Sequence, residues 1–304
     1  MWGFFIPIRQ EKEERDLPMK TKRKMAKRRV LSFMLSAALV ASMLPMGGIQ
    51  GAEAAENGTP EVSADAEGTQ EITASGTFGG EKDSEGVTVT EDTHQWSFAA
   101  GTGVLTISGE GAIPDYTTST YMRLPWYQYA SDIKKIVFTG NVTKIGAYLF
   151  YQYANVEEVD CSTAEKLIEI GEKSFYKTTL LGTLTGTDHL VTMGTSCFES
   201  SGLKTVTMPQ VEAVPEAAFK SCASLTAIHF QIATIFGKNA FNACKALTEV
   251  DAPNVTELGE SVFNTCTGLE TIELPKLQSI TGGSVFYGCS SEGQRRAYQG
   301  PSES

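Results

Sequence analysis

The chain has 304 residues, 41% hydrophobic and 20% charged. That is enough to bury a sizeable core, and it excludes a collagen-like, coiled-coil or wholly disordered chain. The net charge of −11 is unevenly divided: residues 1–54 hold ten Lys/Arg against five Asp/Glu, leaving fifteen against thirty-one, a net of −16, in residues 55–304. So acidic a body has no electrostatic footprint for nucleic acid and is repelled by anionic lipid.

The first segment has the layout of a secretory signal. Lys20–Lys24 and Lys27–Arg29 form a basic run, Val30–Met46 is apolar, and Ala52-Glu53-Ala54 places small residues at −3 and −1 of a cut after Ala54. A transmembrane anchor is the rival reading, but the 17-residue apolar run is at the lower limit for a span. Residues 1–18 contain Glu11, Glu13, Glu14 and Asp16, unlike an n-region. They read as a mis-called start, with Met19 or Met25 as more ordinary first residues. Residues 1–54 are therefore expected to be a signal peptide, with no membrane insertion after cleavage. Residues 55–76, rich in Ala, Glu, Thr and Ser, are expected to be a flexible linker, having too few large apolar side chains to offset ordering.

From 77 to 130 the composition turns to β-type runs: Val87–Val89, Trp96–Phe98 and Val104–Ile107, the last two joined by Ala-Ala-Gly-Thr-Gly, a hairpin signal. An aromatic-rich connection, Tyr116 to Tyr129 with Pro125-Trp126, completes what is expected to be an N-terminal cap.

Residues 131–291 are periodic. Phe recurs at 150, 175, 198, 219, 241, 263 and 286, with spacings of 25, 23, 21, 22, 22 and 23. Six residues after several of these comes a strand pattern, L-x-x-h-x-h, often closed by Pro, as in Leu203–Pro209, Leu247–Pro253 and Leu269–Pro275. Leu225–Phe230 matches it, and weaker copies start at Ile133, Val156 and Leu181. A second apolar pair follows, usually with Gly behind it: Ile145-Gly146, Met193-Gly194, Leu258-Gly259. Units this short must stack, each covering the last. Alternation turns Val206 and Met208 inward and Thr205 and Thr207 outward. The Gly is read as permitting a tight turn. The third unit departs from the pattern at Leu181–Asp188, and Val214-Pro215 and Phe236-Gly237 depart at the Gly position.

Read together, Leu247-Thr-Glu-Val-Asp-Ala-Pro253…Leu258-Gly-Glu-Ser-Val-Phe263-Asn-Thr-Cys266-Thr-Gly-Leu269 resembles the BspA-like leucine-rich repeats of secreted and surface bacterial proteins. The stretch Gly103–Tyr116 with Pro125-Trp-Tyr127 looks like that family's lead-in, so the resemblance spans roughly 95–291. It implies a β-rich leucine-rich-repeat solenoid of about seven units, with short parallel strands, turns and short helical segments, preceded by a β-hairpin cap. It also implies adhesion or host and matrix binding as the family's usual role. After Cys289, Glu292 stands where an aliphatic is expected. Residues 292–304 read as an irregular tail of a truncated or frame-altered product.

The structural core is assigned to Phe150, Phe175, Phe198, Phe219, Phe241, Phe263 and Phe286. Cys222, Cys244, Cys266 and Cys289, each three residues after a repeat Phe, join it. In one phase of successive turns these thiols should lie about 4.8 Å apart. Buried free thiols are the leading reading, one or two disulfides the next, and metal the weakest, since no C-x-x-C or Cys/His spacing occurs. Cys161 and Cys197 fall at core phases. His94, His189 and His229 are read as surface residues, unpaired with any nucleophile, and no H-E-x-x-H, P-loop or G-x-S-x-G motif is present. No catalytic residue, cofactor or metal is therefore expected.

The outward strand row remains: Lys135, Glu158, Thr205, Ala227, Glu249 and Thr271 in one phase; Val137, Asp160, Thr207, His229, Asp251 and Glu273 in the other. Its candidate binding residues are Glu158, Asp160, Thr207, His229, Glu249, Asp251, Thr271 and Glu273. A solvated acidic face is the bland reading, and a rigid recognition sheet the functional one. The aromatic patch Tyr121, Trp126, Tyr127 and Tyr129 is the other candidate, since such residues are enriched at hot spots and equally pack a cap. The function expected is a secreted, non-catalytic surface protein engaging a host or bacterial surface protein or glycan. The alternatives are an accessory targeting module of a larger secreted enzyme, or a structural spacer.

Overall fold

A unit of 21 to 25 residues is too short to cover its own apolar side chains, and stacking meets that constraint. The computed structural model describes residues 71–80 and 92–290. The signal segment 1–54, most of the linker, the Val87–Val89 run and the tail 292–304 lie outside those residues.

Strands β1 (Ala74–Phe78), β2 (His94–Ala99) and β3 (Val104–Ala112) pair antiparallel in that order. The hairpin falls where Ala-Ala-Gly-Thr-Gly predicts it. β1 begins inside the 55–76 segment expected to be a linker; it forms because β2 offers an edge, Ala74 opposite Phe98 and Phe78 opposite His94. Local composition does not reveal such non-local pairing. Two 3-10 turns, Tyr121–Arg123 and Tyr127–Tyr129, lie in the aromatic connection.

The repeats then supply β4 (Lys135–Thr139) and β5 (Asn141–Ile145), β6 (Glu158–Thr163) and β7 (Glu169–Ile170), β8 (Thr183–Thr185) and β9 (Thr192–Met193), β10 (Thr205–Thr207) and β11 (Ala213–Val214), β12 (Ala227–His229) and β13 (Ile235–Phe236), β14 (Glu249–Asp251) and β15 (Glu257–Gly259), and last β16 (Ser279–Thr281). All pairings among them are parallel. The long β3 starts two ladders, pairing with β4 through residues 104–107 and with β5 through 110–112.

Both ladders break at the same place. One runs β3-β4-β6-β8 and resumes as β10-β12-β14; the other runs β3-β5-β7-β9 and resumes as β11-β13-β15-β16. The irregular third unit does form β8, paired with β6, so the break lies beyond it. It coincides with a shortened connection: Leu203 follows Phe198 by five residues, where Leu181 and Leu225 follow their Phe by six. Gly202 allows the shortening, since a Cβ there would lie 2.5 Å from the Thr179 carbonyl oxygen. The expected strand at Leu269–Pro275 is absent. The other ladder does continue in this unit, where β16 pairs with β15.

The helical segments expected between strands are replaced by a third ladder, built on the repeat Phe. In every unit the residues two before and two after Phe have positive φ, from Tyr148 and Gln152 to Ser261 and Thr265. Alternating the backbone this way aims the N–H groups of those two residues and of Phe at the next unit. There they meet the carbonyls three before, one before and one after its Phe, at 2.6–3.1 Å; Tyr148 to Glu172, Phe150 to Ser174 and Gln152 to Tyr176 are the first set. Left-handed conformations at non-glycine residues cost about 1–2 kcal/mol each, and these bonds offset that cost only when a neighbouring unit is present.

The Gly that closes the second strand has another purpose than the tight turn expected. Its φ is not positive; instead a Cβ on Gly194 would lie 2.3 Å from Glu172 N, and on Gly259 2.6 Å from Lys238 N. Side-chain absence lets adjacent backbones close up. Gly237 sits in the same approach, so Phe236-Gly237 follows the pattern after all.

The core runs the length of the stack. From Phe150 to Phe286 each repeat Phe lies on the next with ring centroids 5.3–5.7 Å apart and planes within 13°.

Candidate recognition surfaces

The outward row is split by the ladder break into two faces of different chemistry. On the first, β4 and β6 set Lys135 beside Glu158 and Val137 beside Asp160. The Lys135 ammonium lies 2.8 Å from Glu158 Oε1 and 3.6 Å from Asp160 Oδ2. The hydrogen bond to Glu158 holds Lys135 above its ordinary pKa. Asp160 is held below the usual carboxylate range, first by the Ser162 hydroxyl and backbone N–H, then by Thr185 and Lys135. Glu158 and Asp160 are thus committed to a local network.

On the second face, β10, β12 and β14 align Thr205, Ala227 and Glu249 in one row and Thr207, His229 and Asp251 in the next. Asp251 Oδ2 lies 3.5 Å from His229 Nδ1 and accepts a 2.7 Å bond from Gln231 Nε2. Thr207 and Glu249 are exposed. Thr271 and Glu273 are exposed but lie outside any strand, so the expected side-by-side stacking of Asp251 and Glu273 on paired strands is not formed. His189 is exposed and His229 half-buried. His94 departs from its surface reading: alternation in β2 turns it inward with Trp96 and Phe98, against Phe78 at 5.4 Å, and burial pulls its pKa down.

The aromatic patch divides as well. Trp126 is fully buried, edge-on to Phe78 at 4.7 Å and stacked near Phe150 at 6.1 Å, so it is a core residue and no contact for a partner. Tyr129 stacks on Phe98 at 4.9 Å. Tyr121 and Tyr127 stay half-buried at the surface, 5.5 Å apart and edge to face. Tyr121 also meets Tyr151, at 5.3 Å, and Tyr151 stacks on Tyr176 at 5.0 Å. The sequence signal for these last two was available: both occupy the position after the repeat Phe, which the turn directs outward.

All six cysteines are buried and unbridged. Cys222, Cys244, Cys266 and Cys289 form one phase, and each thiol donates to the carbonyl of the Phe in the preceding unit at 3.0–3.1 Å. Earlier units place Ser201, Thr178 and Tyr153 at this phase. Burial lifts the Cys222 thiol to about 11 and Cys266 to about 12, and raises the other four. Thiols so protonated are poor nucleophiles. Among the described residues no His/Cys/Asp/Glu group could hold a metal ion, and no helix is long and apolar enough to cross a membrane.

The family model of the BspA type leucine rich repeat region matches in six copies, over residues 125–245 and 212–294. No curated protein matches the chain. Three solved structures are similar to it. One is a leucine-rich repeat protein from Eubacterium ventriosum, at 17% identity over 71% of this chain and 95% of that one, TM-score 0.32. Another is the T. pallidum leucine rich repeat protein, at 19% identity over 57% and 86%, TM-score 0.43. The third is a leucine rich cell surface protein from Faecalibacterium prausnitzii, at 18% identity over 66% and 73%, TM-score 0.37. With the matched copies spanning more than half the sequence and falling on the stacked units, the chain belongs to the BspA-type leucine-rich-repeat family.

Proposed function

We propose that this protein is a non-catalytic recognition module, exported and displayed at the bacterial surface, which engages a protein or glycan partner through its outward strand face. One observation carries the reading. On β10, β12 and β14 the parallel register sets mixed polar side chains, Thr207, His229 and Asp251 with Glu249 alongside, on adjacent strands of one rigid sheet. Rows of this kind bind with little loss of conformational freedom, because the backbone is fixed before the partner arrives. Export is supported by the basic run, apolar segment and Ala-x-Ala site of residues 1–54. The test uses the full chain on a protein and glycan array. Glu249→Gln with Asp251→Ser should leave thermal unfolding unchanged and weaken binding to a basic partner, with the loss shrinking as salt rises. If the double variant binds every array hit as tightly as the unaltered chain at low salt, the face is merely solvated.

A further inference from the structure

Away from the strand face, the turns at the N-terminal end of the stack carry a ribbon of five half-buried tyrosines: Tyr127, Tyr121, Tyr151, Tyr148 and Tyr176. Tyr127, Tyr121, Tyr151 and Tyr148 touch in turn, with centroid separations of 5.5, 5.3 and 5.4 Å, and Tyr176 branches from Tyr151 at 5.0 Å. Rings that buttress one another are already ordered, so a partner meets them with little entropy left to lose.

Ring faces are not what this ribbon offers. Tyr151 and Tyr176 cover each other with planes 7° apart. The Lys173 ammonium stands 5.4 Å over the Tyr148 ring, and the Lys177 ammonium 5.3 Å over Tyr176. Base stacking, which needs an open face, is thereby disfavoured. With faces covered in this way, the groups left for a partner are ring edges, hydroxyls and ammonium groups. Tyr148 Oη donates to Glu172 and accepts from Lys173, whose ammonium is raised above its ordinary pKa first by Glu172 and then by Tyr148. Among the described residues the hydroxyls of Tyr151 and Tyr176 have no hydrogen-bond partner, and the exposed Arg123 and Lys177 have no carboxylate within ion-pair distance. Lys173 and Lys177 stand over ribbon rings, and Arg123 lies two residues from Tyr121. Glu172 is bonded within the ribbon, and Glu199, one rung beyond Tyr176, is paired with Lys220 at 3.2 Å. The body as a whole is strongly acidic.

We propose that this tyrosine–lysine ribbon binds a carboxylated polysaccharide. Phenol hydroxyls meet the sugar hydroxyls, and Arg123, Lys173 and Lys177 meet its carboxylates. Uronate rings suit it because each carries both groups on a scaffold that needs no deep pocket. An acidic peptide supplies the carboxylates without the rows of hydroxyls.

The experiment titrates the full chain with polygalacturonate at low salt, with poly-glutamate and a neutral glucan in parallel. Arg123→Glu with Lys177→Glu should weaken polygalacturonate binding about tenfold or more. Tyr176→Ser should weaken it with circular dichroism unchanged, and the Glu249→Gln, Asp251→Ser pair on the strand face should leave it untouched. That last comparison separates this site from the strand-face reading, since either can fail alone. Absence of polygalacturonate binding, equal binding by the charge-reversed variant, or equal affinity for poly-glutamate or neutral glucan would each overturn the proposal.

Discussion

Phe241→Ala tests the idea that one aromatic column holds successive units together. The ring is fully buried. It lies flat between Phe219 at 5.5 Å and Phe263 at 5.6 Å, with Phe236 edge-on at 5.1 Å and Phe230 at 6.2 Å. Truncating a core Phe costs about 3–5 kcal/mol through lost transfer free energy and the cavity left behind. Here the neighbours are themselves fixed by the turn ladder, so collapse into the hole is hindered, and the upper part of that range, about 4–5 kcal/mol, is expected. Urea unfolding of the full chain should be followed by both circular dichroism and tryptophan fluorescence. Of the three tryptophans, Trp126 lies beside Phe78 and Phe150 and Trp96 beside Trp126, at the other end of the column. With Trp2→Phe in both proteins, the fluorescence therefore reports there. Circular dichroism should shift to lower urea first, and the two transitions, coincident in the unaltered protein, should separate as the units uncouple. Tyr287→Ala, 69% exposed, should change stability by under about 0.5 kcal/mol. A loss of less than about 1 kcal/mol for Phe241→Ala would refute the column as the source of coupling.

Gly194→Ala should destabilise by about 1–3 kcal/mol or more, because the new Cβ meets backbone of the preceding unit. Gly101→Ala, with nothing within 4 Å, should be near neutral in the same thermal melt. The thiols should resist alkylation in the folded protein and react once urea unfolds it. They should also make the fold alkali-sensitive: their folded pKa values lie above the ordinary 9.0, near 11 for Cys222 and 12 for Cys266. The folded state therefore holds protons that the unfolded state releases, so stability should fall as pH rises above about 9, by roughly 1.4 kcal/mol per unit for each such thiol. Cys222→Ala with Cys266→Ala should flatten that slope; an unchanged slope would show that other groups set it.

The period of Phe and the L-x-x-h-x-h pattern made the stack legible because burial imposes them on every unit. The hairpin was legible because its turn needs Gly. The turn ladder was not: its left-handed positions hold Tyr148, Lys173, Lys177 and Thr265 as well as Asn239, so no residue type announces them. Their conformation goes with hydrogen bonds between neighbouring units. β1 was missed for the same reason, since Ala-Ser-Gly-Thr-Phe has little strand character until β2 pairs with it. Among the candidate site residues, phase correctly set Thr207, His229 and Asp251 in a row, but phase cannot show the salt links that occupy Glu158 and Asp160. Aromatic density alone does not separate Trp126, which fills the core, from Tyr121, which is half-buried at the surface. The outward Tyr151 and Tyr176 share the position after the repeat Phe, a phase legible in the spacing once the turn is known to direct it outward.

The break between β8 and β10 shows which of the ladders makes the stack continuous. Strand pairing stops there on both sides, with the Thr187 hydroxyl, donating to the Thr207 carbonyl at 2.7 Å, spanning the gap. Yet Ser196, Phe198 and Ser200 still donate to Glu216, Ala218 and Lys220 at 2.8–3.0 Å. Phe198 still stacks on Phe219 at 5.5 Å, and Cys222 still donates to the Phe198 carbonyl at 3.0 Å. If sheets set the coupling, the molecule should open at this point, and the amides of Phe198 and Ser200 should exchange well before those of Phe219 and Ser221. If the Phe turns set it, the four amides should open together in native-state hydrogen exchange, their free energies agreeing within about 1.4 kcal/mol, a factor of ten in rate. The geometry favours the second outcome, because every bond made by a Phe turn at the intact interfaces is also made at the break. Early, selective exchange at Phe198 and Ser200 would return the coupling to the sheets.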